Sequence, residues 1–352
     1  MLLYVVVRLL GLITLALWSD RPEKGVTRLL SERWDSLWYV RVVEEGYGFT
    51  LHAADGRVLS DLAFFPLLPW LEEALSRLTP LTPGGAGLLV SAVAGIAAAG
   101  GLYAVGELLY GRRAGVALAV LWAALPVAVV QSMAYSESLF TALAVWSLYA
   151  VLTGRWAGAG TLAALAGLAR PVGAAVAAGV WLAAVVAWRE GRAGWRLYAG
   201  MALAPVGGLG YLVWVGVRTG DPFGYFAVQE AWGNGFDGGL AFARFIGGQS
   251  VLAGAGLGAG VGLLGWAFVL GVRQKQPPAL LAYTALVVVL ALGASGFIGS
   301  KPRLLLPAFP LLLPAAVALA RARPAVAWTT AAALTAVSAV YGAIWLTGSG
   351  PP

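Results

Sequence analysis

Residues 157–188 read AGAGTLAALAGLARPVGAAVAAGVWLAAVVAW, and this stretch decides how many times the chain is predicted to cross the membrane. It is too long for one membrane-spanning helix of about 20 residues and short for two. Its one charged residue, Arg170, is followed by Pro171, and proline disfavours helix at the residue before it and removes a backbone hydrogen bond. We therefore expect two short helices that break at Arg170–Pro171 beside a polar cavity.

The composition indicates a polytopic membrane protein. Of the 352 residues, 60% are hydrophobic and only 11% are charged, which is more apolar surface than a soluble domain can bury. The chain has no cysteine, which excludes disulfides, thiolate metal sites and cysteine nucleophiles. Its one histidine, His52, excludes a multi-histidine metal site. The net charge of +7 is typical of basic loops on one membrane side, so we expect no nucleic-acid partner.

Eleven apolar stretches are candidate spans, which predicts an all-α fold in a single membrane domain over residues 1–352. The first lacks a small-residue cleavage site, so we interpret it as a retained helix and not as a signal peptide. The stretches are 2–18, 86–109, 115–133, 137–153, 157–170, 172–188, 198–217, 251–272, 279–297, 304–320 and 325–346.

Basic residues orient these spans. Five short connections carry ten arginines and lysines, with Glu190 as the one acid among them, and all five fall on one side if eleven spans are counted. Positive loops mark the cytoplasmic side, which also makes the N-terminus cytoplasmic. The opposite side then holds two large segments, 19–83 and 218–250. The basic residues are Arg112, Arg113, Arg155, Arg189, Arg192, Arg196, Arg273, Lys275, Arg321 and Arg323.

The first outer segment contains RWDSLWYVRVVEEGYGF at 33–49. Spacings of four residues align Trp34 with Trp38 and Asp35 with Tyr39, which predicts an interfacial helix that stops at Gly46. The aromatic residues suit headgroup depth in any such helix. A carboxylate between two tryptophans at the membrane border is costly unless it is paired or used. Asp35 is therefore a candidate functional residue.

Two further outer elements carry acids. In SDLAFFPLLPWLEEALSRL, 60–78, we expect Asp61 to cap a helix whose wet face carries Glu72, Glu73 and Arg77. In AYSESLF, 134–140, Ser136 or Ser138 is a candidate cap. Glu137 lies where the next helix starts, and it is either a charge that favours the helix dipole or the partner of a cation on another helix.

Three cations stand out. Arg170 lies within the apolar stretch quoted above, where an arginine at the bilayer centre costs at least about 2.5–3.5 kcal/mol, so it should face a cavity, an acid or a phosphate. Lys301 and Arg303 lie at the outer end of the tenth span and are either interfacial anchors or functional groups. The segment GDPFGYFAVQEAWGNGFDGG, 220–239, either covers a site or connects two spans.

Six blocks in order resemble the GPI mannosyltransferase II (PIG-V) family and its bacterial relatives, which are GT-C glycosyltransferases. Together they run from about residue 30 to 315. The blocks are WDSLWYVRVVEEGYGF, AFFPLLP, AYSESLF, ARPVG, GDPFGYFAVQEAW and KPRLLLPAFPLL.

The resemblance implies an inverting hexosyltransferase of the mannosyltransferase type. It would use a polyprenyl-phosphate sugar and a lipid-linked or other acceptor on the outer face of a bacterial cytoplasmic membrane. Asp35 takes the position of the family's catalytic base, and the residue types suggest Arg170, Lys301 and Arg303 for the donor phosphate. Membrane lipids are the other expected partners. Expected substrate contacts are Trp34, Tyr39, Tyr47, Phe65, Tyr135, Glu137, Glu230 and Trp232.

Two other functions stay open at this point. A transporter or lipid flippase is compatible with the helix break at Arg170–Pro171, although no repeat is visible in the sequence. A non-catalytic scaffold would use the exposed aromatic residues as partner contacts. We expect no cofactor and no metal, and a divalent ion held by carboxylates stays open.

Overall fold

The computed structural model describes residues 1–19, 25–348 and 350 and consists almost entirely of helices. Those of the N-terminal half are α1 (Leu2–Trp18), α2 (Val26–Ser31), α3 (Asp35–Glu45), α4 (Leu67–Leu78), α5 (Pro83–Tyr110), α6 (Arg112–Ala123), α7 (Glu137–Leu152), α8 (Trp156–Ala169) and α9 (Gly173–Arg189). Those of the C-terminal half are α10 (Trp195–Leu203), α11 (Val206–Thr219), α12 (Gly224–Ala231), α13 (Leu240–Gly247), α14 (Val251–Arg273), α15 (Pro278–Gly293), α16 (Lys301–Leu304), α17 (Leu313–Arg321) and α18 (Pro324–Thr347).

Each of the eleven predicted spans contains helix, but the span count stays a prediction. By length and composition, four helical stretches of the described chain can cross a bilayer, or six if two bent pairs each count as one. The four are Pro83–Tyr110, Trp195–Thr219, Val251–Arg273 and Pro324–Thr347. The fold is that of a helical membrane protein.

The predicted break at Arg170–Pro171 is confirmed. Helix α8 ends at Ala169, Arg170 has extended backbone angles, and α9 begins at Gly173. Because both helices pack on α7, the break points Arg170 toward the N-terminal end of α7.

A second break separates α6 from the 3₁₀ turn Pro126–Ser132, with a bend of 84°. Arg8 of α1 supplies hydrogen bonds at this break: its guanidinium donates to the carbonyl of Ala123 at 3.1 Å and to Ser132 Oγ at 3.1 Å. Backbone groups freed inside a membrane protein need such partners. The chain leaving this turn forms residues 133–136, which border the charged cluster described below.

The first outer segment is more structured than expected. Strands β1 (Thr50–His52) and β2 (Val58–Ser60) form an antiparallel hairpin that the sequence analysis did not predict, with Thr50 opposite Ser60. Residues 20–24 of this segment lie outside the described part of the chain. Asp61 does not cap α4; its carboxylate accepts the backbone N–H groups of Gly48 and Phe49, each at 2.9 Å, and so fixes the turn before the hairpin.

The prediction that α4 exposes Glu72 to water is wrong. Glu73 and Arg77 form an exposed ion pair, but Glu72 is fully buried, and among the described residues its carboxylate oxygens have no hydrogen-bond partner. It packs against Gly87 of α5, where any Cβ would overlap its Oε1. Burial raises the pKa of the Glu72 carboxyl well above its usual value.

Small residues let the helices approach closely. A Cβ on Gly207 of α11 would overlap the carbonyl oxygen of Ala164 in α8, and Gly160 and Gly200 meet in the same way between α8 and α10. Such contacts are typical of helix association in membranes. They bind α10 and α11 to α8, whose C-terminal end carries Arg170.

This close approach predicts a specific destabilisation. We expect Gly207→Ala to lower the thermal midpoint of the detergent-purified protein, because overpacking costs about 1–3 kcal/mol. Gly210→Ala on the same helix has open space around the new Cβ and should leave the midpoint unchanged or raise it. Equal midpoints for the two variants would contradict the packing described for α8 and α11.

The buried Glu72 predicts a pH effect on stability. Its pKa is higher folded than unfolded, so between the two values the unfolded chain releases a proton that the folded chain keeps. This contribution lowers the free energy of unfolding as the pH rises above about 4.3, the ordinary pKa of glutamate. Glu72→Gln should remove this slope from a plot of thermal midpoint against pH, whereas Glu73→Gln should retain it. A slope that survives in Glu72→Gln would contradict the assignment.

Candidate active site

Four charged side chains converge at one end of the helix bundle: Asp35, Glu137, Arg170 and Arg303. Asp35 is the first residue of α3, and Glu137 is the first residue of α7. Arg170 occupies the break between α8 and α9, and Arg303 lies on the short helix α16. We call these four residues the charged cluster.

The distances in the cluster describe two linked ion pairs. Arg303 Nη2 lies 2.7 Å from Asp35 Oδ2, and Arg170 Nη1 lies 2.6 Å from Glu137 Oε1. Arg303 Nε lies 3.8 Å from the same Oε1 atom, so Glu137 connects the two arginines. Of the two roles left open for Glu137, the structure shows the pairing with a cation from another element, because Arg170 follows α8.

Because they are buried, these ion pairs matter more for stability than surface ion pairs do. The Glu137 side chain is 2% exposed and that of Arg303 is 11% exposed, whereas Asp35 is 26% exposed. A buried charge that loses its partner is strongly destabilising. Asp35 is the member of the cluster that is most open to an incoming molecule.

Hydroxyl groups complete the surroundings of Arg170. Its Nη1 donates to Ser136 Oγ at 3.1 Å, and Ser136 Oγ lies 3.0 Å from the Tyr39 hydroxyl. Burial raises the pKa of Tyr39, so this phenol stays protonated and available as a donor. Ser136, one of the two candidate caps, forms no side-chain cap hydrogen bond and accepts from Arg170 instead.

Tyr135 joins Asp35 to Arg303. Its hydroxyl accepts the backbone N–H of Asp35 at 3.3 Å, and its ring lies 5.2 Å from the Arg303 guanidinium carbon. The side chain is fully buried. Tyr135 therefore contacts both the start of α3 and the guanidinium of Arg303.

Arg303 retains unused donor capacity. Its Nε and Nη1 atoms are buried and have no hydrogen-bond partner among the described residues. A guanidinium presents donors in a fixed fork that matches phosphate oxygens. Nη1 shares an edge of the guanidinium with Nη2, which has two N–H bonds, so this edge can meet a phosphate while Nη2 stays beside Asp35.

Lys301 lies two residues from Arg303 but points elsewhere. Its ammonium donates to the carbonyls of Ala291, Leu292 and Ala294 at 3.1, 3.3 and 2.6 Å. These are carbonyls at the C-terminal end of α15, where a cation is favoured. The structure thus gives Lys301 a capping contact, and phosphate binding by Lys301 stays a prediction.

The remaining predicted substrate contacts mainly join the outer segments. Trp232 donates to the carbonyl of Ser60 at 2.9 Å and packs on Phe64, while the Tyr47 hydroxyl donates to the Phe64 carbonyl at 2.7 Å. Phe65 is buried against Tyr211. Glu230 is exposed, and Trp34 precedes Asp35 with its ring against the core.

Across the part of the chain that the structure describes, no three His, Cys, Asp or Glu side chains are grouped as metal ligands would be. Whether the site works without a divalent ion stays a prediction.

No protein-family profile and no curated protein matches the chain. The PIG-V resemblance therefore stays an expectation.

Solved structures do match the fold. ArnT from Cupriavidus metallidurans, bound to undecaprenyl phosphate, aligns with a TM-score of 0.56 and 18% identity over 93% of this chain and 61% of that protein. The archaeal oligosaccharyltransferase AglB from Archaeoglobus fulgidus, in complex with an inhibitory peptide and a dolichol-phosphate, aligns with a TM-score of 0.58 and 14% identity over 99% of this chain and 56% of that protein. The chain thus spans less than two thirds of either protein, and it shares their fold.

Proposed function

We propose that this protein is an inverting membrane glycosyltransferase that takes a hexose from a polyprenyl-phosphate donor. The observation that carries the proposal is the pairing of a partly exposed carboxylate, Asp35, with a buried arginine that has free donors, Arg303. A base beside a phosphate-binding fork is what an inverting transfer from a sugar phosphate needs. The solved neighbours that carry undecaprenyl phosphate and dolichol-phosphate support the donor class.

The reaction requires one proton transfer and one displacement. The acceptor hydroxyl gives its proton to the Asp35 carboxylate while its oxygen attacks the anomeric carbon. The bond between that carbon and the phosphate oxygen breaks, and its electron pair leaves with the polyprenyl phosphate. The configuration at the anomeric carbon is inverted, and Asp35 later releases its proton to solvent.

The two arginines stabilise the departing phosphate. Fixed cations act most strongly where charge develops in a site shielded from water. Arg303 would contact the phosphate through the edge that carries Nη1, and Arg170 would contribute from the other side of Glu137. Glu137 would hold both guanidinium groups in place before the donor arrives, because it lies within 4 Å of each.

The proposal also names the sugar, the location and the acceptor. The sugar is mannose, and the acceptor is lipid-linked or another molecule at the outer face of a bacterial cytoplasmic membrane. The PIG-V resemblance suggests the sugar, and the basic loops suggest the orientation. A transporter function is less favoured, because the helix break at Arg170 is occupied by the ion pair with Glu137.

Removal of the base should abolish turnover without loss of the fold. We expect Asp35→Asn to lower kcat for transfer of labelled mannose from polyprenyl-phosphate mannose by about 10²–10⁴, the usual contribution of a general base. Glu44→Gln, an exposed change on the same helix, should retain wild-type kcat. Full activity in a folded Asp35→Asn protein would overturn the assignment.

Loss of the guanidinium fork should weaken donor binding. Arg303→Lys keeps the positive charge but cannot offer two parallel donors, so we expect the Kd for polyprenyl phosphate to rise about tenfold, and similarly for Arg170→Lys. Arg77→Lys on the exposed face of α4 is the matched control and should leave Kd unchanged. Unaltered binding in both cluster variants would place the phosphate elsewhere.

The orientation can be tested independently of activity. Accessibility tags at Arg192 and at Gly235 should report opposite sides of the membrane, with Arg192 cytoplasmic. Tags that report the same side would refute the count of eleven spans.

A further inference from the structure

Trp34 has a backbone conformation that residues other than glycine rarely adopt. Its φ is 52° and its ψ is −121°, and among the described residues only Lys275 is another non-glycine with positive φ. The N–H of Ser36 bonds the carbonyl of Arg33 at 3.3 Å, so Trp34 occupies the second position of a type II′ turn. Glycine is the usual residue there because a side chain is strained.

Surrounding contacts keep Trp34 in this conformation. The Arg33 guanidinium lies 4.0 Å from the centre of the Trp34 ring and also donates to the carbonyls of Leu346 and Gly348 at the end of α18. Ser36 is fully buried, and its Oγ both accepts the Arg33 N–H at 3.0 Å and donates to the Arg33 carbonyl at 2.6 Å. The Trp34 ring packs on the main hydrophobic core.

The turn determines where Asp35 points. Helix α3 begins at Asp35, directly after the strained residue, and the Asp35 N–H is held by the Tyr135 hydroxyl. Side chains in the first turn follow the direction in which the chain enters the helix. A relaxed turn would therefore move the Asp35 carboxylate relative to Arg303.

We propose that Trp34 is a positioning residue, which uses the packing of its ring to hold a strained turn and so places Asp35 against Arg303. This role differs from the substrate contact expected from the sequence. Strained backbone persists only where its surroundings enforce it, and it concentrates at functional sites. The catalytic part of the inference rests on the proposed function, whereas the positioning of the ion pair does not.

A thermal mutant cycle tests the positioning without any activity measurement. The cycle combines Asp35→Asn with Arg303→Gln, or with Arg303→Lys if the glutamine variant does not fold. The measured coupling is the difference between the shift in thermal midpoint of the double variant and the sum of the two single shifts. We expect clear coupling in wild type and in Trp34→Phe, which keeps a packed ring. In Trp34→Ala, which lacks the ring that holds an L residue in this strained conformation, the turn should relax and the coupling should be lost.

A matched alanine control separates positioning from side-chain truncation in general. Leu37→Ala shortens an exposed side chain in the same helix, and it should leave the coupling between Asp35 and Arg303 intact. Coupling that persists in Trp34→Ala, or that disappears equally in Leu37→Ala, would overturn the inference.

Kinetics then link the position to the reaction. Trp34→Ala should lower kcat roughly tenfold or more with little change in donor KM, because small displacements of a reacting group are costly in rate. Trp34→Phe should restore most of kcat. A KM effect at unchanged kcat would instead support the substrate contact. If wild type transfers no sugar, the proposed function fails, and the mutant cycle still decides the positioning.

Discussion

The structure depends on the placement of four charges, Asp35, Glu137, Arg170 and Arg303, at the end of an otherwise apolar helix bundle. Unpaired charges in such surroundings cost several kcal/mol each, so every element that carries one must meet its partner. The pairs Arg170–Glu137 and Arg303–Asp35 satisfy this requirement. Their coupling through Glu137 makes the position of α16 depend on the break between α8 and α9.

The irregular parts of the fold serve this cluster. The break at Arg170 supplies one cation, and the short helix α16, between bent segments, supplies the other. The bend after α6 leads into residues 133–136, where Tyr135 and Ser136 contact the charged groups. Non-helical backbone in a membrane protein is tolerated where it is buried in protein or lines a cavity. The three breaks therefore border one site.

Local sequence signals predicted the features that depend on local physics. The helix break follows from Arg170–Pro171, the start of α7 at Glu137 follows from AYSESLF, and the end of α3 follows from Gly46. Asp35 and Arg170 were identified as costly in their surroundings, whereas Glu137 and Arg303 each had a purely structural alternative. These inferences needed only the chemistry of the residue and of its close neighbours.

Other features depend on tertiary contacts that no local pattern contains. The pairing of Arg303 with Asp35 and the capping of α15 by Lys301 depend on which way α16 faces, although both cations lie in the same short segment. The burial of Glu72 is different, because a sequence signal for it was present. It is four residues from the buried Leu68, so helical spacing places it on the apolar face of α4.

The central claim is that the charged cluster receives the phosphate and the reacting sugar of a polyprenyl-phosphate donor. The most direct measurement is an experimental structure of the Asp35→Asn protein, in lipid, with polyprenyl-phosphate mannose bound. The account predicts the phosphate within hydrogen-bond distance of Arg303 and close to Arg170, with the anomeric carbon facing residue 35. A phosphate bound away from both arginines, or a sugar that does not face residue 35, would contradict it.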